Sequence, residues 1–212
     1  MRFQFPRVYP ILDSAVIPRE SRSEFLQRLG SALADAGVLL LEYRNKTASD
    51  AEVLADAAIL RKAMPAPMQL ILDDRAHLVV EAGLDGVHVD AGDITPSEAR
   101  KLLGPNRIVG TFGGSEALVP GVLDQPADYF SIGPIGRTTT KETSKAPIGP
   151  EGVRRLRSAV GPDVILVAAG GVTLETAPAV IAAGATTVAV SAAIFHALDP
   201  AKEFARWKEL LH

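Results

Sequence analysis

The sequence contains no cysteine. That excludes disulfide frameworks, thiolate zinc sites, iron–sulfur clusters and thiol catalysis. Histidine is scarce as well. His77, His88, His196 and His212 are the four present, and none is paired at the spacing of a helical zinc motif. No apolar run approaches the roughly 18 to 20 residues that span a bilayer. The opening segment, MRFQFPRVYPILD, lacks the long apolar stretch of a secretory leader. Nor is there an excess of positive charge: 25 acidic side chains against 22 Lys and Arg leave a net charge of −3, which offers no basic face to a nucleic-acid backbone. These absences lead to the expectation of a cytoplasmic protein with neither nucleic acid nor membrane as partner.

What is present is an ordinary globular balance, 47% hydrophobic and 22% charged over 212 residues, enough to bury a real core. No linker-like composition shift interrupts it, so residues 1–212 are expected to form one domain. Apolar runs recur at Val8–Leu12, Val38–Leu41, Leu70–Leu72, Val87–Val89, Ile108–Val109, Tyr129–Ile132, Val164–Ala168 and Val188–Val190. They are mostly continuous rather than alternating, as expected of strands buried on both faces of a parallel sheet. Amphipathic stretches lie between them. Ser21-Arg22-Ser23-Glu24, Ser49-Asp50-Ala51-Glu52 and Thr95-Pro96-Ser97-Glu98 each read as a capping box, and Thr173 is a further candidate cap. Gly30, Gly83, Gly104, Gly161 and Gly184 fall near expected helix ends. Pro120, Gly121 and Pro126 predict a short or broken helix in the fifth unit. Eight strand–helix units predict a single-domain (β/α)8 TIM barrel. An open doubly wound sheet is the fold alternative.

In such a barrel, chemistry belongs at the C-terminal strand ends. Four successive runs here end in carboxylates with cations interleaved: Asp13; Glu42-Tyr43-Arg44-Asn45-Lys46; Asp73-Asp74-Arg75; and Asp90 through Asp93. A single loop charge is ordinarily just solvated. Four in succession, without imidazole or thiolate, suit a hard cation such as Mg2+ that shares itself with phosphate oxygens. Asp74 and Asp93 would lie on adjacent strand ends, within reach of one ion. The second half supplies anion donors: Gly133 through Lys141, with Thr138, Thr139 and Thr140, then Gly170-Gly171, then Ser191-Ala192. Backbone amides, hydroxyls and a lysine together make a phosphate cradle. Such a site would hold two anions, on two phosphorylated substrates or on one with a phosphate at each end.

These segments resemble the thiamine phosphate synthase family over about Val8 to Leu211, most clearly in Glu42 to Lys46, Leu72 to Arg75, Asp85 to Asp93 and Asp128 to Lys141. The resemblance implies a barrel enzyme joining 4-amino-2-methyl-5-hydroxymethylpyrimidine diphosphate to 4-methyl-5-hydroxyethylthiazole phosphate. It implies Mg2+ on Asp74 and Asp93, whose nineteen-residue separation is the family's spacing, and Arg44, Lys46 and Lys141 on the diphosphate. It further implies Thr138, Thr140, Gly171, Ser191 and Ala192 around the thiazole phosphate, with Thr139 beside them. Family members usually carry Gln at Glu42 and Asn at Asp73, both facing the pyrimidine, and Gly-Val-Ser where this chain has Gly110-Thr111-Phe112, leaving Thr111 as the candidate hydroxyl. The related thiazole tautomerase uses a histidine after strand five. This chain has Gly113 and Gly114 there, which argues against that chemistry. His88 is expected to be a hydrogen-bonded core residue rather than a catalyst. The carboxylates at Glu42 and Asp73 also motivate an alternative, a retired barrel that binds thiamine phosphates as a regulator. The resemblance leaves room for a homodimer.

Overall fold

Every apolar run overlaps a strand, and the eight strands pair in chain order, all parallel, with β8 returning to β1 to close a barrel. The computed structural model describes residues 3–90, 92–115, 121–138 and 144–212. The strands are β1 (Val8–Asp13), β2 (Leu40–Arg44), β3 (Gln69–Asp73), β4 (Gly86–Val89), β5 (Ile108–Gly114), β6 (Tyr129–Ile132), β7 (Leu166–Ala169) and β8 (Thr187–Val190). The helices are α1 (Arg22–Asp35), α2 (Asp50–Ala63), α3 (Pro96–Leu103), α4 (Gly149–Val160), α5 (Ala177–Ala182), α6 (Ala192–Phe195) and α7 (Pro200–Leu210). The barrel expectation therefore holds, and the open-sheet alternative does not.

Local chemistry sets most helix starts. Ser49 accepts from the Glu52 amide while Glu52 bonds back to the Ser49 amide, and Thr95 and Glu98 do the same at α3, with Pro96 in the first turn. Two expectations need correction. Ser21 precedes α1 but makes no side-chain cap bond, because its backbone (φ −117°, ψ 28°) is not the extended geometry from which a hydroxyl reaches back into the first turn. Gly30 is not a helix end. It lies inside α1, where a Cβ would come 2.7 Å from Ala63 Cβ of α2, so it sets the close approach of the two helices. Thr173 caps a turn ahead of α5, accepting from the Thr176 amide at 3.2 Å. After β5 the described residues hold a short 3-10 turn, Val122–Asp124, entered through Gly121 at φ 75°.

Two apolar layers hold the molecule together. Between barrel and helices pack residues such as Leu12, Leu41, Leu72, Val87, Val109, Val188, Phe204 and Trp207. Inside the barrel a second cluster joins Tyr9, Leu40, Ile71, Ile108, Tyr129, Val167 and Ala189, with Phe3 and Phe5 packed on it. Phe5 meets Tyr129 edge-on, with ring centroids 5.3 Å apart.

Candidate active site

Strand periodicity positions the site. Side chains two apart share a face, so the strand that turns Leu40 inward also turns Glu42 and Arg44 inward. On β3, Ile71 is followed by Asp73, and on β6, Tyr129 is followed by Ser131. The barrel interior is thus apolar in its lower layers and polar in the layer above. A cavity of about 660 Å3 opens over that polar layer. Its wall includes Tyr9, Glu42, Arg44, Lys46, Asp73, His88, Asp90, Asp93, Phe112 and Ser131 on one side, and Arg137, Thr138, Gly170, Gly171, Ser191 and Ala192 on the other.

On the side of β1 to β4 the site is built from side chains. Arg44 pairs with Asp13, and its Nε lies 3.4 Å from Asp73 Oδ2. Lys46 Nζ lies 2.9 Å from Asp73 Oδ2 and also bonds Asp74 Oδ2. Burial pulls the Lys46 ammonium down, but the Asp74 and Asp73 carboxylates outweigh it and hold its pKa above the usual lysine value. Asp74 and Asp93 are near enough to share a proton. Burial and the bond to Asp74 push the Asp93 carboxyl up to about 6, whereas hydrogen bonds to Asp93 and Lys46 overcome burial at Asp74 and lower it. Asp74 Oδ1 is buried and meets no aligned donor among the described residues. Asp74 and Arg75 both hold positive φ, 61° and 21°, at a cost on the order of 1–3 kcal/mol each. The turn persists because the Asp74 amide donates to the His88 carbonyl at 2.8 Å and Arg75 is tied down by its guanidinium.

Beneath these charges runs a buried polar set in which Tyr9 and Tyr129, not singled out from the sequence, join Glu42 and His88. Tyr9 donates to Glu42 Oε2 at 3.3 Å, Tyr129 Oη and His88 Nδ1 are 3.0 Å apart, and His88 Nε2 lies 3.8 Å from Asp90. Gly110 makes room for Tyr129: a Cβ there would fall 2.0 Å from the phenol ring. Desolvation pushes the Glu42 carboxyl up to about 7. Burial pulls His88 down, but Asp90, Glu42 and Asp73 outweigh it and raise it. His88 is, as expected, a buried hydrogen-bonded residue, and it also lines the cavity. Alternation along the strands was the available signal for the whole set.

On the side of β6 to β8 the site is built from backbone. The Ile135 and Gly136 amides donate to the Gly170 carbonyl at 2.8 and 2.9 Å. Gly171 has φ +71°, and a Cβ there would lie 2.4 Å from the Arg137 carbonyl oxygen, so the two loops stack main chain on main chain. The first amides of α6 have no partner within the helix, and Ser191, Ala192 and Ala193 line the cavity. Lys145 sits over the Phe112 ring, 4.4 Å from its centroid.

The structure thus gathers Glu42, Arg44, Lys46, Asp73, Asp93, Thr138, Gly171, Ser191 and Ala192 around one cavity, with Asp74 bonded to Lys46 at its edge. Thr111, expected at the site, does not join them: it is buried in β5 and does not line the cavity, whereas its neighbour Phe112 does. Thr139, Thr140 and Lys141 lie outside the described residues.

Fold and site together define a class: a (β/α)8 barrel whose C-terminal mouth sets a carboxylate–cation cluster against a glycine-built loop pair. The chain belongs to the thiamine monophosphate synthase family, whose model matches residues 8–194. It is 36% identical over 209 residues to a thiamine-phosphate synthase of Koribacter versatilis, covering 99% of this chain and 97% of that one. It is 37% identical over 178 residues to one of Agrobacterium fabrum, covering 82% and 81%. Among solved structures, thiamine phosphate pyrophosphorylase from Pyrococcus furiosus superposes with a TM-score of 0.80 at 24% identity, covering 97% of this chain and 95% of that one. Orotidine 5'-phosphate decarboxylase from Pyrococcus horikoshii gives 0.65 at 17% identity, covering 95% and 98%, which marks the barrel as widely shared.

Proposed function

We propose that the chain is a thiamine-phosphate synthase, a transferase that joins the aminopyrimidine diphosphate to the thiazole phosphate and releases diphosphate. The observation that carries this is that Arg44, Lys46, Asp73 and Asp93, with Asp74 bonded to Lys46, face the Gly170–Gly171 turn across one cavity. The family's near relatives, matched end to end, support it. In the reaction the bond between the pyrimidine methylene and the diphosphate oxygen breaks, and the diphosphate leaves with the electron pair. The thiazole nitrogen lone pair then forms the new carbon–nitrogen bond.

Arg44 and Lys46 meet charge that grows on the leaving oxygens, so they stabilise the transition state more than the ground state. Lys141 is assigned to the same role by the family resemblance. Thr138, Gly171 and the amides at Ser191 and Ala192 hold the thiazole phosphate, with Thr139 and Thr140 assigned beside them, so that the ring nitrogen faces the reacting carbon. Glu42 and Asp73 lie at the pyrimidine end, where carboxylates do not oppose an electron-deficient ring.

The donor set fits Mg2+. Asp74 Oδ1 is a buried oxygen without an aligned donor, Asp93 is beside it, and carboxylate oxygens are the ligands a hard cation takes. No group of three or more acidic or His ligands forms among the described residues, so Asp74 and Asp93 would leave the rest of the shell to substrate oxygens and water. When bound, the ion would neutralise charge on the departing diphosphate.

Among the described residues no helix is long and apolar enough to cross a membrane, and we place the reaction in the cytoplasm. A coupled assay for thiamine monophosphate and diphosphate, with and without Mg2+, tests the reading. Stoichiometric formation of both is expected. Tight binding of thiamine monophosphate with no turnover at saturating Mg2+ would instead favour the regulatory alternative that Glu42 and Asp73 motivate.

A further inference from the structure

Arg75 takes no part in the chemistry just described, yet its side chain joins two loops that do. Its Nη1 donates to Asp50 Oδ1 at 2.8 Å and its Nη2 to the Ala48 carbonyl at 2.6 Å. Ala48 belongs to the segment that carries Lys46, and Asp50 opens α2. That segment is also fixed from within, since Asn45 Oδ1 accepts from the Ala48 amide at 3.0 Å and Asn45 Nδ2 donates to Tyr43. On its other side Arg75 is the neighbour of Asp74, and both residues hold the left-handed backbone that non-glycine residues rarely adopt. The guanidinium fork therefore straps an unfavourable turn to a rigid loop. The strap also sets the separation between Lys46 and Asp74, which bond each other across it.

We propose that Arg75 is a positioning residue that holds Asp74 in register with Lys46 and thereby creates the site's affinity for a metal-bound diphosphate. This rests on the synthase reading and deepens it. The fork matters because its two nitrogens reach the Asp50 carboxylate and the Ala48 carbonyl from separate points in a fixed plane, whereas an ammonium would have to serve both from one point. His77 supplies a built-in comparison. Its Nε2 lies 2.9 Å from Asp50 Oδ2, so it shares the acceptor without touching the turn.

The test is calorimetric titration of the purified full chain with magnesium pyrophosphate and, separately, with the thiazole phosphate. Arg75→Gly is the informative variant, because glycine suits the positive φ better than arginine while removing the fork. Arg75→Gly is expected to weaken magnesium pyrophosphate about 10- to 100-fold, the range seen when partners that orient metal ligands are lost, and to leave thiazole phosphate within about twofold. Arg75→Lys should recover only part of that affinity, and His77→Ala should match the wild type for both ligands. Retention of magnesium pyrophosphate affinity in Arg75→Gly, or equal loss of both ligands, would overturn the proposal. Failure of the wild-type chain to bind magnesium pyrophosphate would sink the synthase reading itself, and this inference with it.

Discussion

The two sides of the barrel mouth are built by different means. Toward β1 to β4, charge is carried by side chains that restrain one another: Arg44 on Asp13, Lys46 between Asp73 and Asp74, Arg75 on Asp50. Toward β6 to β8, the wall is main chain packed on main chain, with Gly136 and Gly171 stacked so closely that neither tolerates a Cβ. The difference matches the task proposed for each side. A leaving diphosphate gains charge during the reaction and needs fixed full charges opposite it. A phosphate monoester that only anchors its substrate needs fixed geometry, which backbone supplies without side-chain entropy to lose.

If that contrast is right, the two sides should fail differently. The largest effect is expected from Asp74→Asn. The Mg2+ concentration for half-maximal turnover should rise on the order of 100-fold, while the KM for thiazole phosphate stays within about twofold. An unchanged Mg2+ titration would remove Asp74 from the metal site. Next is Gly171→Ala. Its methyl would enter backbone held at φ +71° with the Arg137 carbonyl 2.4 Å away. A loss of about 2–3 kcal/mol in unfolding free energy is expected, together with a raised KM for thiazole phosphate and near-normal affinity for magnesium pyrophosphate. A variant that lost both ligands equally would show that the sides are not separable.

The β1 to β4 side was the more legible from sequence, for a physical reason. Clustered acids and bases at strand ends announce themselves by type, and Arg44, Lys46, Asp73 and Asp93 all line the cavity. Capping at Ser49 and Thr95 was legible because both partners lie within one turn. What escaped depended on contacts between distant segments. Gly30 reads as a helix end but is the contact of α1 with α2. Arg75 reads as a loop charge but reaches 27 residues back to Ala48. The Tyr129–His88 bond spans β4 and β6 around a barrel whose inward faces must be known first. Thr111 is buried while its neighbour Phe112 lines the cavity, because one residue along a strand changes the face that a side chain occupies.

The smallest of these effects concerns Glu42, a carboxylate of the charged side that is bonded to a tyrosine hydroxyl rather than to a basic side chain. Its partner is the Tyr9 hydroxyl. His88 of β4, Asp73 of β3, Asp90 just after β4 and Tyr9 of β1 are the ionisable groups that act on it. Burial raises its carboxyl from 4.5 to about 7, so the folded chain keeps a proton that the unfolded chain releases. Below pH 4.5 both states are protonated and Glu42 costs nothing. Between pH 4.5 and 7 stability falls as pH rises, and above 7 the full penalty remains. Glutamine fills the same space and cannot ionise. Glu42→Gln should therefore match the wild type in urea unfolding at pH 4.5 and exceed it by about 2 kcal/mol at pH 8, somewhat less than the full linkage value. A gain of the same size at both pH values would mean that packing rather than ionisation distinguishes the two side chains. A stabilised Glu42→Gln with altered pyrimidine affinity would show that this chain retains a costly buried charge in its substrate pocket, unlike the backbone-built side, where no such cost arises.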